Sequence, residues 1–298
     1  MQDSSLDAFP LTLVIISTFM HAGWNILARY KGGAQACIWR MQVSIVVLGA
    51  VPTFISLVAY PSISMKAVLC LLGSGASCGF YYVCLARGYE SGDFTTVYPA
   101  ARALPVLLVG IGDALRGFPP SDLGWLGMCF VASGCLLVPL NSLADFRLRN
   151  YWKPVSLWIV LTAMGTVGYT LFDKIGTEAI PRGPREAAVY CYLFFVTTII
   201  SYVPLKSLMT KRSSPSPEVG WFIPTIAGML CYLAYWLVLC AYQMIEKASY
   251  VLAFRQFSIV IGVIAAFVLF NEPGKAVRFA GAMVITAGLI LLRIFGGQ

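Results

Sequence analysis

The chain has 298 residues, 59% of them hydrophobic and 11% charged, with a net charge of +8 and a mean hydropathy of +0.79. A soluble domain carries about 25% charged residues and about 45–50% apolar ones, so a water-exposed surface is excluded and an all-α integral membrane protein is implied. The Lys and Arg surplus sits in short connections between apolar runs, where it reads as a topology signal and a headgroup contact, with no nucleic-acid partner.

A helix needs about 20 apolar residues to cross a hydrocarbon core of about 30 Å. Ten runs qualify, at 10–29, 36–59, 65–87, 94–114, 121–141, 154–174, 185–205, 219–244, 249–270 and 275–295. The first follows the acidic stretch MQDSSLDAF, unlike a signal peptide, and is read as a retained span. Turn chemistry separates the runs at Lys31-Gly32-Gly33, Glu90-Ser91-Gly92-Asp93, Phe118-Pro119-Pro120-Ser121, Pro181-Arg182-Gly183-Pro184 and Asn271-Glu272-Pro273-Gly274. The loop Lys211–Pro217 has the composition of a disordered segment. Cysteines have no CxxC or Cys/His ligand spacing, so no metal or other cofactor is expected.

Part of the chain is written twice. FYYVCLARGYESGDFTTVYPAARALPVLLVGIGDALRGFPPSDLGWLGMCFVASGCLL, from Phe80, parallels YWLVLCAYQMIEKASYVLAFRQFSIVIGVIAAFVLFNEPGKAVRFAGAMVITAGLILL, from Tyr235. Ala86 meets Ala241, Arg102 meets Arg255, Pro119 meets Pro273, Gly127 meets Gly281 and Gly134 meets Gly288, with the offset held between 153 and 155. A weaker match sets Gly23-Trp24-Asn25 against Gly168-Tyr169-Thr170. The repeat unit is then five helices, residues 1–150 and 151–298. Because five is odd, the second unit enters the membrane from the opposite face, giving ten transmembrane helices as two inverted five-helix repeats. Such repeats are a transporter feature, with the solute site at midplane where the units meet. Counting loop charges puts twelve Lys and Arg on one side and seven on the side of the termini, which sets the termini outside.

Only Arg102 and Arg255 lie well inside runs, at equivalent repeat positions. A mid-membrane Arg costs at least about 2.5–3.5 kcal/mol and needs a cavity or a partner. Each therefore has two readings, an anion ligand or a tie between helices. No Asp or Glu is expected deep inside a run, Asp113, Asp173, Glu246 and Glu272 all standing near ends. His21, Trp24 and Asn25 share a helix face at i, i+3 and i+4, and Tyr232, Tyr235, Trp236 and Leu239 share another. With Tyr81, Tyr98 and Tyr169 they supply mid-depth aromatics enough to line a pocket for flat amphipathic solutes. The candidate substrate-binding set is completed by Arg102, Arg255 and Gln256. Gly75 and Gly79 form a GxxxG, and Gly127/Gly134 and Gly281/Gly288 repeat at seven, both spacings that bring helices close. Pro99 and Pro105 bracket Arg102, which places the expected kink in the first repeat.

The stretches MHAGWNILAR and FVLFNEPGKAVRFAGAMVITAGLILL, with the five-plus-five layout, resemble the EamA-type ten-helix members of the Drug/Metabolite Transporter superfamily. The first repeat departs from the pattern, with Phe118 where the second has Glu272. The aromatic-rich middle is most similar to the bacterial amino-acid exporters of that superfamily. The resemblance implies a plasma-membrane protein of the bacterial inner membrane with both termini in the cytoplasm, against the charge count; separately, a monomer is expected. It implies export of amino acids and related small amphipathic metabolites by alternating access. A nucleotide-sugar or phosphorylated-metabolite transporter is the alternative within the class. An intramembrane enzyme is the alternative outside it, and would need a nucleophile–base pair, a metal cluster or paired carboxylates at depth.

Overall fold

In a computed structural model, which describes residues 6–29, 34–60, 63–91, 94–140, 142, 155–209, 220–269 and 275–297, every regular element is a helix. In chain order these are α1 (Ala8–Arg29), α2 (Ala34–Ala59), α3 (Met65–Ser91), α4 (Phe94–Leu115), α5 (Asp122–Leu137), α6 (Val155–Glu178), α7 (Pro184–Met209), α8 (Phe222–Tyr242), α9 (Ala248–Arg255), α10 (Phe257–Leu269) and α11 (Lys275–Phe295). Seven segments among the described residues are long and apolar enough to cross a membrane, the sixth, Ala248–Ala265, bridging α9 and α10, and α5 is a shorter apolar helix. The outer surface suits lipid. Leu48, Val51, Phe54, Ile55 and Val58 form an exposed apolar stripe on α2 at helical spacing, each more than half accessible, a pattern that water would penalise. The Lys211–Pro217 loop and the Asn271–Gly274 turn lie outside the described residues.

The expected continuous helix over 249–270 divides at Gln256. There the Gln256 N–H bonds Ala253 O at 2.9 Å and Ile259 N–H bonds Gln256 O at 2.8 Å, tightening the turn to three-residue spacing. The interruption thus falls in the copy that lacks proline, while α4, with Pro99 and Pro105, runs on as one helix. Gln256 supplies the cause: its side chain is buried and reaches across to α4.

Close packing follows the glycines. On α5 and α11, Gly127 opposes Gly288 and Gly134 opposes Gly281, each glycine facing the other's carbonyl oxygen. On α3, a Cβ at Gly75 would stand 2.6 Å from the Thr197 backbone of α7 and one at Gly79 would stand 2.9 Å from Tyr202 N. Ser201 Oγ of α7 donates to Gly75 O at 2.7 Å across that seam. The main pairings are α3 on α6 and α7, α8 on α1 and α2, α5 on α11, and α4 on α5, α6 and α9.

A polar knot ties the ends of α4, α6 and α8. Arg116 reaches both oxygens of Glu178 at 2.9 Å and Asp113 Oδ1 at 3.0 Å. Lys174 pairs with Glu178 at 2.8 Å and donates to Tyr242 O at 2.6 Å. Asp113 also accepts the Ser249 N–H at 2.7 Å, capping the start of α9. Partial burial works against the ionised form of Glu178, four residues beyond the run 154–174, but Lys174 and Arg116 outweigh it and hold the carboxyl below its usual range. Stability from this group is present above the unfolded value of about 4.3 and is lost as pH falls through the lower folded value. Comparing thermal midpoints between about pH 3 and 6, Glu178→Gln should be less stable than wild type at the upper end and converge with it at the lower.

Candidate functional site

Buried between α1, α3, α4, α6, α7, α8 and α9 is a cavity of about 100 Å³. A water takes roughly 10–15 Å³ of such space, so the cavity holds several waters or the polar head of a small solute. Both halves of the chain contribute to its wall.

One wall is aromatic. Tyr81 and Tyr169 meet edge-on with centroids 5.9 Å apart, and Tyr169 meets Tyr235 at 6.4 Å. Phe194 of α7 lies 4.7 Å from Tyr235 and 5.2 Å from Phe195. These tilted and T-shaped contacts suit the ring quadrupoles.

Another corner is rich in donors. Arg102 Nε donates to Gln256 Oε1 at 3.0 Å, Nη1 stands 3.1 Å from His21 Nε2, and Nη2 donates to Ser258 Oγ at 3.2 Å. Gln256 Nε2 returns a bond to Arg102 O at 3.4 Å. Arg102 therefore ties α4 to α1 and to the interrupted α9–α10 segment. His21 Nδ1 faces Trp24 Nε1 at 3.2 Å. Arg and Trp nitrogens only donate, whereas a neutral imidazole accepts at one nitrogen alone. One donor in this corner is therefore left facing another, whichever tautomer His21 adopts.

Arg255 is placed differently from its repeat equivalent. Its guanidinium lies over the Tyr235 ring, 5.4 Å from the centroid, a favourable cation–π distance. Its Nη1 is buried with no hydrogen-bond partner, and no ion pair among the described residues includes it.

The structure thus gathers His21, Trp24, Tyr81, Arg102, Tyr169, Tyr235, Arg255 and Gln256 around one space. Asn25, Tyr232 and Trp236 are not among the lining residues. Asn25 Nδ2 donates to His21 O on its own helix at 2.7 Å. Tyr232 and Trp236 turn to α7, donating to Ala188 O at 2.8 Å and Pro184 O at 2.6 Å. The Tyr98 side chain lies outside the described residues. Sequence reasoning missed Phe194 and Phe195, whose helix lies outside the repeated stretch, and the small polar residues Ser17 and Thr166.

Asp173, expected near the end of a run, stands five residues before the end of α6. Asp173 is wholly buried, accepting from Tyr190 Oη at 3.1 Å and from Tyr235 Oη in a short bond. The acid is buried where α6 packs on α3, α4 and α8, with Tyr190 reaching it from α7. Tyr235 therefore joins a buried carboxylate on one side to the cavity on the other.

No cluster of three or more potential metal ligands occurs among the described residues. Compared with known proteins, the chain matches no family model and no curated protein sequence.

Proposed function

We propose that the protein is a membrane transporter exporting small amphipathic metabolites, amino acids among them, by alternating access. The observation that carries this reading is the cavity: both halves of the chain line it, and aromatic rings, two guanidiniums and an imidazole meet there. Solute sites between helices of a bundle have this composition, and passage across a membrane needs no covalent chemistry.

The wider architecture in this proposal is ten crossings in two inverted five-helix units, with α9 and α10 forming one broken crossing. The packing supports it. Exchanging the units turns the α3–α6 contact into α8–α1 and the α3–α7 contact into α8–α2, both of which are present. The α5–α11 contact maps onto itself, the pair Gly127 and Gly288 becoming Gly281 and Gly134. A two-fold axis in the membrane plane has this effect, and broken helices near the centre are common in such transporters. The resemblance to ten-helix drug/metabolite transporters points the same way and suggests the bacterial inner membrane as the setting.

The test is efflux of labelled solutes from proteoliposomes, with and without a pH gradient. Phenylalanine should leave protein-containing vesicles faster than empty ones. If no amino acid or related small metabolite moved while a nucleotide sugar did, the reading would be abandoned. Trp24→Ala should lower phenylalanine efflux by about tenfold, the scale of one lost aromatic contact, and alanine efflux by less. Equal loss of both would assign Trp24 to folding instead.

A further inference from the structure

We infer that Arg255 is the ligand for a carboxylate, and that the preferred solutes are monoanionic amphipathic carboxylates over zwitterions of the same skeleton. The inference rests on the reading of the cavity as a solute site and narrows it to a charge class.

The two arginines are not equivalent. Each nitrogen of Arg102 has a partner, and these partners come from α1 and from the Gln256 break. It serves as a tie. Arg255 has its guanidinium carbon over Tyr235, 5.4 Å from the ring centroid, and a buried Nη1 with nothing to donate to. The fork of a guanidinium matches a carboxylate with two parallel bonds. Leaving the donor without an acceptor in a dehydrated wall is costly, so an acceptor brought by a solute is favoured there.

The charge sum decides between solute classes. Among the described lining residues are two guanidiniums and no carboxylate. The buried acid Asp173 is not among the lining residues and accepts from Tyr190 and Tyr235. Trp24 and His21 add a further N–H that faces another donor rather than an acceptor. An anion relieves this excess, whereas an ammonium enters a field of its own sign with no acid to pair with. The aromatic wall then holds the apolar part of the same molecule.

The probes are 3-phenylpropanoate, phenylalanine and phenethylamine, which share a skeleton and differ in charge. Binding to the purified full chain in nanodiscs is read from Trp fluorescence and from the shift in thermal midpoint. The acid should bind about tenfold or more tighter than the zwitterion, the scale of one charge-assisted hydrogen bond, and the amine should not bind. Arg255→Gln should weaken the acid about tenfold or more and leave little preference among the three. Arg255→Lys should retain part of the preference, as a charge without the fork. Equal affinity of wild type for acid and zwitterion overturns the class, and unchanged acid binding in Arg255→Gln overturns the residue. Should Arg255→Gln fail to fold, the wild-type series and Arg255→Lys still decide. The two readings fail separately. Ordered binding with no efflux of any probe removes transport and leaves the anion site, and efflux of all three at equal affinity removes the anion site and leaves transport.

Discussion

Gly134→Leu should abolish recovery of folded, monodisperse protein from the membrane. A Cβ at Gly134 would stand 2.7 Å from Gly281 O and 2.8 Å from Ile285 N, both backbone atoms of α11. Neither can rotate away, so the two helices must separate. The cost of forcing even a methylene into a filled core is about 1–3 kcal/mol, and leucine adds several at a backbone-to-backbone contact. Separation here also opens the Gly127–Gly288 contact further along the same seam, so the loss spreads over the whole α5–α11 interface. In lipid that interface has no hydrophobic drive to restore it, since lipid tails are as apolar as the side chains they replace. Gly262→Ala is the control, because nothing lies within 4 Å of a Cβ there. Its elution profile and thermal midpoint should match wild type. A Gly134→Leu protein that behaved like Gly262→Ala would show that the α5–α11 crossing is looser than its glycines require.

This seam was legible from spacing alone, because a small residue repeated at seven marks one helix face. The helices were legible for the same reason that membrane proteins generally are: an apolar run has no other way to satisfy its backbone in lipid. The break at Gln256 was not. Phe254-Arg255-Gln256-Phe257-Ser258 contains no Gly or Pro, and the turn is set by a partner on α4, about 154 residues away along the chain. The face shared by Tyr232, Tyr235 and Trp236 was also legible, yet its division was not. These side chains span an arc of about 100° with Tyr232 in the middle, and α7 offers carbonyls to Tyr232 and Trp236 while Asp173 takes Tyr235 at the far edge. Periodicity assigns a face; the neighbouring helix decides which member of it looks into the cavity.

The larger consequence of that division is carried by Asp173. Asp173→Ala should lower the thermal midpoint by about 10 °C, which for a chain this size corresponds to roughly 3–5 kcal/mol. Hydrogen bonds to a charged group contribute about 1.5–3 kcal/mol each, and this carboxylate accepts two, from α7 and α8. The substitution would leave the Tyr190 and Tyr235 hydroxyls in a buried space without their acceptor, and it would remove the pin that joins α6 to both neighbours. Asp173→Asn keeps one acceptor oxygen and should lose about half as much. Tyr235→Phe should lose less than Asp173→Ala, because Tyr190 still satisfies one oxygen. If the pin is a unit, the double substitution Asp173→Ala with Tyr235→Phe should cost less than the sum of the two, as coupled neighbours do. Strict additivity would mean that the two side chains stabilise the fold independently. The ring of Tyr235 is also the surface on which Arg255 rests, so releasing its hydroxyl should let the guanidinium swing and weaken solute binding alongside stability. Tyr190→Phe takes a bond from the same carboxylate without touching the cavity wall, and should lower stability while sparing binding. The contrast between these two tyrosines separates a pin that only holds helices together from one that also sets the solute site.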